Sequence, residues 1–235
     1  IDCPPSLSLL PIETRSTNAS VAEFKRFPEE WRVVELDTAS AEAMHAALSR
    51  VGEQKLVSQE LAAKLGFAID AEGKAGLKPD AGGLVEIPCW RHAVINFPHP
   101  LLEQGLVILD TPGLNAIGAE PELTLSQLPN AHAILFILAA DTGVTQSDLA
   151  VWRDHVNGAR TRQKGRIAVL NKIDGLWDGI RSEAEIEAEI SRQVKSTADT
   201  LELDAGHIFP VSAQKGLFAK ISRDMTDAKR LDDLM

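Results

Sequence analysis

Only two of the 235 residues are cysteine, Cys3 and Cys89, and their spacing is not that of a paired framework. Disulfide scaffolds are therefore excluded, and the usage suits a reducing cytosol. No apolar run approaches the roughly 20 residues that cross a bilayer as a helix, and no signal peptide is visible. Positive charge is scarce: 24 Lys and Arg against 34 Asp and Glu give a formal net charge of −10. An acidic surface repels phosphate backbones, so nucleic acid is not an expected partner. The six histidines (His45, His92, His99, His132, His155 and His207) show no metal-ligand spacing. Cys89, His92 and His99 read as strand-edge residues rather than a metal cluster. There is no internal repeat, and Ile1 stands where an initiator methionine would, so the chain reads as cut from a longer one.

What is present is a chain with 44% hydrophobic residues, too apolar for disorder and long enough for one large domain with a sizeable core. The stretch that organises it is Leu106-Val107-Ile108-Leu109-Asp110-Thr111-Pro112-Gly113. Four apolar residues are too few for a helix and predict a strand buried on both faces, as in a parallel sheet. Proline ends the ladder, and glycine allows a ligand close to the backbone. Ligands of open α/β sheets bind beyond the carboxyl ends of the strands. Asp110 is thereby placed at a site, as a carboxylate able to hold Mg²⁺ directly or through water. The Gly113 amide is placed to approach a terminal phosphate.

Two further loops follow buried runs. Asn171-Lys172-Ile173-Asp174 follows residues 167–170, and Ser212-Ala213-Gln214-Lys215-Gly216 follows residues 208–211. The rest of the chain predicts alternating elements. Strands are expected over 6–13, 31–36, 91–97, 133–139 and 207–211. Helices are expected over 39–51, 58–65 with Ser58 as N-cap, 147–156 and 182–203, with helix starts at 121–128 and 217–235. The 91–97 and 106–110 strands are expected to pair antiparallel. Residues 37–90 read as an insertion of mostly helix and loop. Ile186, Ile190 and Val194 step by four along the inner seam of the long helix, and its run of glutamates reads as a solvated face. Trp31, Trp90, Trp152 and Trp177 read as packing residues. Strand–helix alternation after residue 91 gives an α/β class.

At this point the chain resembles a P-loop GTPase. The three loops are similar to that class's phosphate/magnesium, guanine-selecting and guanine-supporting motifs, in the same order. The wording Leu-Asp-Thr-Pro-Gly-Leu-Asn and the helical insertion before it most resemble bacterial dynamin-like proteins. The resemblance covers residues 91–220 or so and implies a Ras-like three-layer domain with a mostly parallel sheet, incomplete at its N-terminus. All of 1–235 would be one partial GTPase domain, with 37–90 inserted in it. It implies GTP and Mg²⁺ as ligands, with Asp110 supporting the metal and Gly113 sensing the γ-phosphate. Asp174 would accept from the paired N1–H and N2–H₂ donors of guanine. Lys172 would lay its stem along the ring, Asn171 would tie the loop to neighbouring backbone, Ser212 would belong to the supporting loop, and the Ala213 amide would meet the guanine carbonyl.

The departures from the family pattern matter as much. Leu114 stands where many of these enzymes carry a water-orienting glutamine. Gln214 separates Ala213 from Lys215, which weakens a role for that lysine. No Gly-x-x-x-x-Gly-Lys-Ser/Thr phosphate loop occurs in the 235 residues, so it is expected upstream of Ile1 with the first strand. Thr14 and Thr17 are switch-threonine candidates by position only and read as loop residues. The implied function is GTP hydrolysis linked to a membrane or to assembly, in a cytoplasmic protein peripheral to the inner membrane that self-associates through this domain. Membrane association would come through regions beyond the C-terminus. The alternatives are an RNA-linked ribosome-assembly GTPase and a non-catalytic nucleotide-binding scaffold.

Overall fold

The computed structural model describes residues 4–17, 19–69, 76–111, 128, 131–157, 165–177 and 179–222, and it divides into two units, 1–120 and 121–235. The first unit is built on strand β1 (Ser6–Pro11), whose Leu7, Leu9 and Leu10 are completely buried. Each such burial is worth roughly 1.5–3 kcal/mol. After β1 come a 3₁₀ turn (Ile12–Ser16) and a short helix α1 (Val21–Phe24), which a Ser20–Glu23 capping box opens. Strands β2 (Arg32–Glu35) and, much later, β5 (Trp90–Asn96) flank β1 on either side, both antiparallel. Between them run helix α2 (Ala41–Ser49), strand β3 (Gln54–Ser58), helix α3 (Gln59–Lys64) and strand β4 (Leu84–Pro88). Ser40 and Ser58 cap α2 and α3 by accepting from the backbone three residues on. Met44 and Ala47 of α2 pack on Leu7, Leu9 and Leu36, while Ile12, Val57, Ala62, Leu65, Phe67, Val85 and Ile87 make a second cluster. A four-residue helix α4 (Pro100–Glu103) follows β5.

The second unit holds three parallel strands in the order β6 (Ile134–Ala139), β7 (Arg166–Asn171), β8 (Ile208–Pro210). Parallel neighbours require crossovers. The first contains helix α5 (Gln146–Val151), which widens into a π turn over Trp152–Asn157. The second contains helix α6 (Glu183–Leu201), and helix α7 (Ala213–Ser222) follows β8. Trp152, Val156, Ala198 and Leu201 all pack on Ile134, Leu138, Ala168, Leu170 and Ile208, so both crossovers cover one face of the sheet. The indole N–H of Trp152 donates to the Leu201 carbonyl at 2.9 Å and joins them. A Ser182–Glu185 capping box opens α6, and its Ile186 and Ile190 seam is buried as the four-residue spacing requires.

Three expectations are corrected. Residues 106–111 form no strand, and β5 pairs with β1 instead. β-branched and leucine-rich runs favour strands only where neighbours supply a ladder and cover both faces. Here Val107 is 87% exposed and residues 106–110 join no sheet among the described residues. Strand β6 is buried on one face only, since Leu135 and Ile137 are exposed while Ile134 and Leu138 are not. The described part of residues 37–90 is mostly helix and loop and also holds the short antiparallel pair β3–β4, which is an addition rather than a correction. Parallel pairing holds in the second unit, but all strand pairs of the first are antiparallel. The helix start at 121–128 lies outside the described residues except for Leu128.

Candidate functional site

The carboxyl ends of β6, β7 and β8 lie side by side, because the strands are parallel and in register. That edge gathers three loops. Asn171 ends β7, and its carbonyl accepts from the Ala140 amide at 2.8 Å, holding the loop after β6 against it. Its carboxamide Oδ1 accepts from the Lys172 amide at 2.8 Å and from the Ala213 amide at 3.0 Å. One short side chain therefore ties two loops that are 42 residues apart. Lys172 sits in the left-handed region with φ 67°. That conformation costs a residue with a Cβ roughly 1–2 kcal/mol, which the Asn171 bond helps offset. The turn lets Ile173 drop into the core against Ile186 and Ile190 while Lys172 and Asp174 face outward on either side.

Asp174 is fixed from the third loop. The Ser212 hydroxyl, itself buried, donates to Asp174 Oδ1 at 2.6 Å. The same Ser212 oxygen accepts from the Lys215 amide at 3.2 Å and so caps α7. Asp174 Oδ2 carries no hydrogen bond among the described residues. Its two oxygens can still accept two parallel N–H groups, since an oxygen engaged by one hydroxyl keeps a second lone pair. The donor set thus fits a base edge presenting two adjacent N–H donors. The Ala213 amide is taken by Asn171, so a base carbonyl would have to replace that acceptor.

The structure brings Asn171, Lys172, Asp174, Ser212 and Ala213 together. Asp110 lies in the first unit with an exposed carboxylate, and Gly113 and Leu114 lie outside the described residues. No group of three or more potential metal ligands occurs among the described residues. A lone carboxylate fits Mg²⁺, which keeps several waters and takes its other ligands from phosphate oxygens. Thr14 lies within the 3₁₀ turn and Thr17 just after it, and their hydroxyls donate to the Pro11 and Thr14 carbonyls.

Two residues of this edge were not singled out by sequence. Trp177 is not a packing residue: it is 38% exposed, and the Lys215 ammonium lies 6.0 Å from its ring centroid. Asp141 reads as part of an Asp-Thr-Gly turn, yet its carboxylate is 3.4 Å from the Lys172 ammonium. Its place at the end of a parallel strand was the available signal.

An α/β unit with nucleotide-type loops at the carboxyl edge of its parallel strands defines a class of nucleotide-binding protein, and the comparisons place the chain within it. The chain belongs to the dynamin family: the family model matches residues 8–173, more than half of the sequence, and covers Asp110, Asn171 and Lys172. The match lies in the family's GTP-binding domain. Among its relatives is a bacterial dynamin-like protein of Nostoc punctiforme, 30% identical over 110 residues, 47% of this chain and 15% of that protein. Another is a probable transmembrane GTPase FZO-like of Arabidopsis thaliana chloroplasts, 33% identical over 130 residues, 55% of this chain and 13% of that protein. The chain thus spans less than a sixth of the length of either relative. Of solved structures, Aquifex aeolicus Era bound to GDP and aluminium fluoride superposes on 43% of this chain and 31% of its own, at 25% identity and a TM-score of 0.30.

Proposed function

We propose that this chain is the guanine-nucleotide part of a bacterial dynamin-like protein that hydrolyses GTP, and that Asp174 selects the base. The observation that carries it is the Asp174 carboxylate, fixed by the buried Ser212 hydroxyl beside the Asn171–Ala213 tie. A bidentate carboxylate–guanine pair contributes roughly 1–3 kcal/mol of discrimination, and adenine offers no N1–H to it. Lys172 covers one face of the ring, Ser212 orients Asp174, and the Ala213 amide turns from Asn171 to the base carbonyl. Asp110 would hold Mg²⁺, which when bound neutralises phosphate charge. Gly113 would sense the terminal phosphate through its amide. Leu114 cannot orient water, so a backbone group or a second copy of the domain does so. Exchange of Asp174 for Asn in the full-length protein should shift preference from GTP to xanthosine triphosphate, whose ring has an oxygen in place of the amine. Unchanged GTP/XTP preference sinks the assignment.

No phosphate-binding loop occurs in the 235 residues, so residues 1–235 alone are expected to bind GTP weakly, and micromolar binding by the isolated chain would contradict this. Turnover in the full-length protein is expected to rise with self-association, since an added group that orders the transition state can raise rates roughly 10³–10⁵-fold in related systems. Specific activity that stays flat while light scattering reports assembly would refute it. Membrane association is proposed to reside outside this chain, in a cytoplasmic protein peripheral to the inner membrane. The membrane link alone, not the location, is supported by the description of the Arabidopsis relative as transmembrane. Among the described residues no helix is long and apolar enough to cross a membrane.

A further inference from the structure

We infer that Asp141 is a positioning residue of the base site, acting through Lys172. Three observations converge on it. The Asp141 carboxylate lies 3.4 Å from the Lys172 ammonium, 31 residues away in sequence. Asp141 stands on a closed turn: the Thr142 and Gly143 amides both donate to the Ala139 carbonyl, at 3.2 and 2.9 Å, and the Thr142 hydroxyl does so at 3.3 Å. A Thr145–Asp148 capping box fixes the far side of that turn. Lys172 is equally constrained at its base, by the left-handed backbone and the Asn171 carboxamide.

A lysine stem has four rotatable bonds, and freezing it from a free start costs more entropy than an exposed ion pair returns, so the pair counts only where the ends are already held. With the backbone fixed at one end and the ammonium met at the other by a short side chain on a hydrogen-bonded turn, the stem spans the ends of β6 and β7 along the site edge. Its methylenes then present a flat apolar strip at the carboxyl end of the sheet, where a planar ring stacks. Without Asp141 the ammonium is free to swing into water and the strip is lost for part of the time. The effect of Asp141 is thus on how the base is held and not on any bond-making step.

Asp141 matters in this way only if the site takes a guanine nucleotide, as proposed above. Two measurements keep the two ideas apart, and both use the full-length protein. The first is a double-substitution cycle for GDP affinity with Asp141→Asn and Lys172→Met, the latter keeping the stem and removing the charge. Asp141→Asn should weaken GDP about twofold to fivefold beside Lys172 and change it little beside Met, with Asp141→Glu restoring part of the loss. The wild-type advantage should shrink in 0.5 M KCl, since the pair is exposed to screening. An equal loss in both backgrounds, or none in either, overturns the inference. The second is the acylation rate of Lys172 without nucleotide, read by mass spectrometry with an amine-reactive ester. It should rise in Asp141→Asn, and an unchanged rate refutes the contact whatever the site binds. Failure of Asp174→Asn to alter GTP/XTP preference would instead strike the base assignment.

Discussion

Ser212→Ala tests how far the base site depends on one buried hydroxyl. The substitution removes two interactions. The first is the 2.6 Å bond from Ser212 Oγ to Asp174 Oδ1, a charge-assisted bond of the kind worth about 1.5–3 kcal/mol. The second is the cap on α7, where Ser212 Oγ accepts the Lys215 amide at 3.2 Å, worth about 1 kcal/mol. Asp174 is only partly buried, so water recovers some of the first loss, whereas Ser212 itself is 4% exposed and its vacated space is dry. A net cost of about 2 kcal/mol follows, or roughly 4–8 °C in the melting temperature of a domain this size. The assay is thermal unfolding together with the ratio of GDP to xanthosine diphosphate affinity. Because a freed Asp174 no longer holds its carboxylate in one rotamer, GDP affinity should fall by about tenfold and base discrimination should narrow. Ser212→Thr, which keeps the hydroxyl, should retain most of both. A melting shift under 2 °C with unaltered GDP affinity would refute the reasoning.

Other outcomes follow from the same structure. Gly165→Ala should destabilise the second unit by more than about 2 kcal/mol, read by denaturant unfolding, because Gly165 has φ +96° and a Cβ would drive into the His132 carbonyl oxygen. Trp152→Phe should cost about 1–3 kcal/mol in the same measurement, because the Leu201 carbonyl then loses its buried indole donor. Glu13 is pushed up by burial, but the Lys55 ammonium and hydrogen bonding outweigh this and hold its pKa below the ordinary carboxylate value. The unfolded state therefore binds its proton more readily, so this pair stabilises the first unit above the ordinary value. Its contribution is lost as pH falls through the lowered one. Glu13→Gln should flatten that acid limb of the unfolding free energy against pH, read by denaturant unfolding, by about a few tenths of a kcal/mol at most, the pair being half exposed.

Local patterns carried much of this protein. The spacing of Ile186 and Ile190 fixed the long helix and its inner face, and Ser58 and Ser182 marked two helix starts, because caps and apolar stripes depend on residues three or four apart. The loops at Asn171 and Ser212 were legible because each follows a short apolar run that did become a strand of the parallel sheet. Long-range pairing was not legible in the same way. Leucines 7, 9 and 10 and the run 106–109 look alike as sequences, yet the first became the centre of a sheet and the second joined none. A strand is defined by the partner that completes its hydrogen bonds, and nothing in four apolar residues names that partner. Sequence likewise placed Asn171, Asp174, Ser212 and Ala213 in separate loops and assigned each a chemistry. Only the parallel register of β6, β7 and β8 set Asn171 against Ala213, Ser212 against Asp174 and Asp141 against Lys172. These contacts span 31 to 42 residues, and a side chain's reach of a few ångströms links such positions only after the backbone ladder has brought the strand ends to one edge.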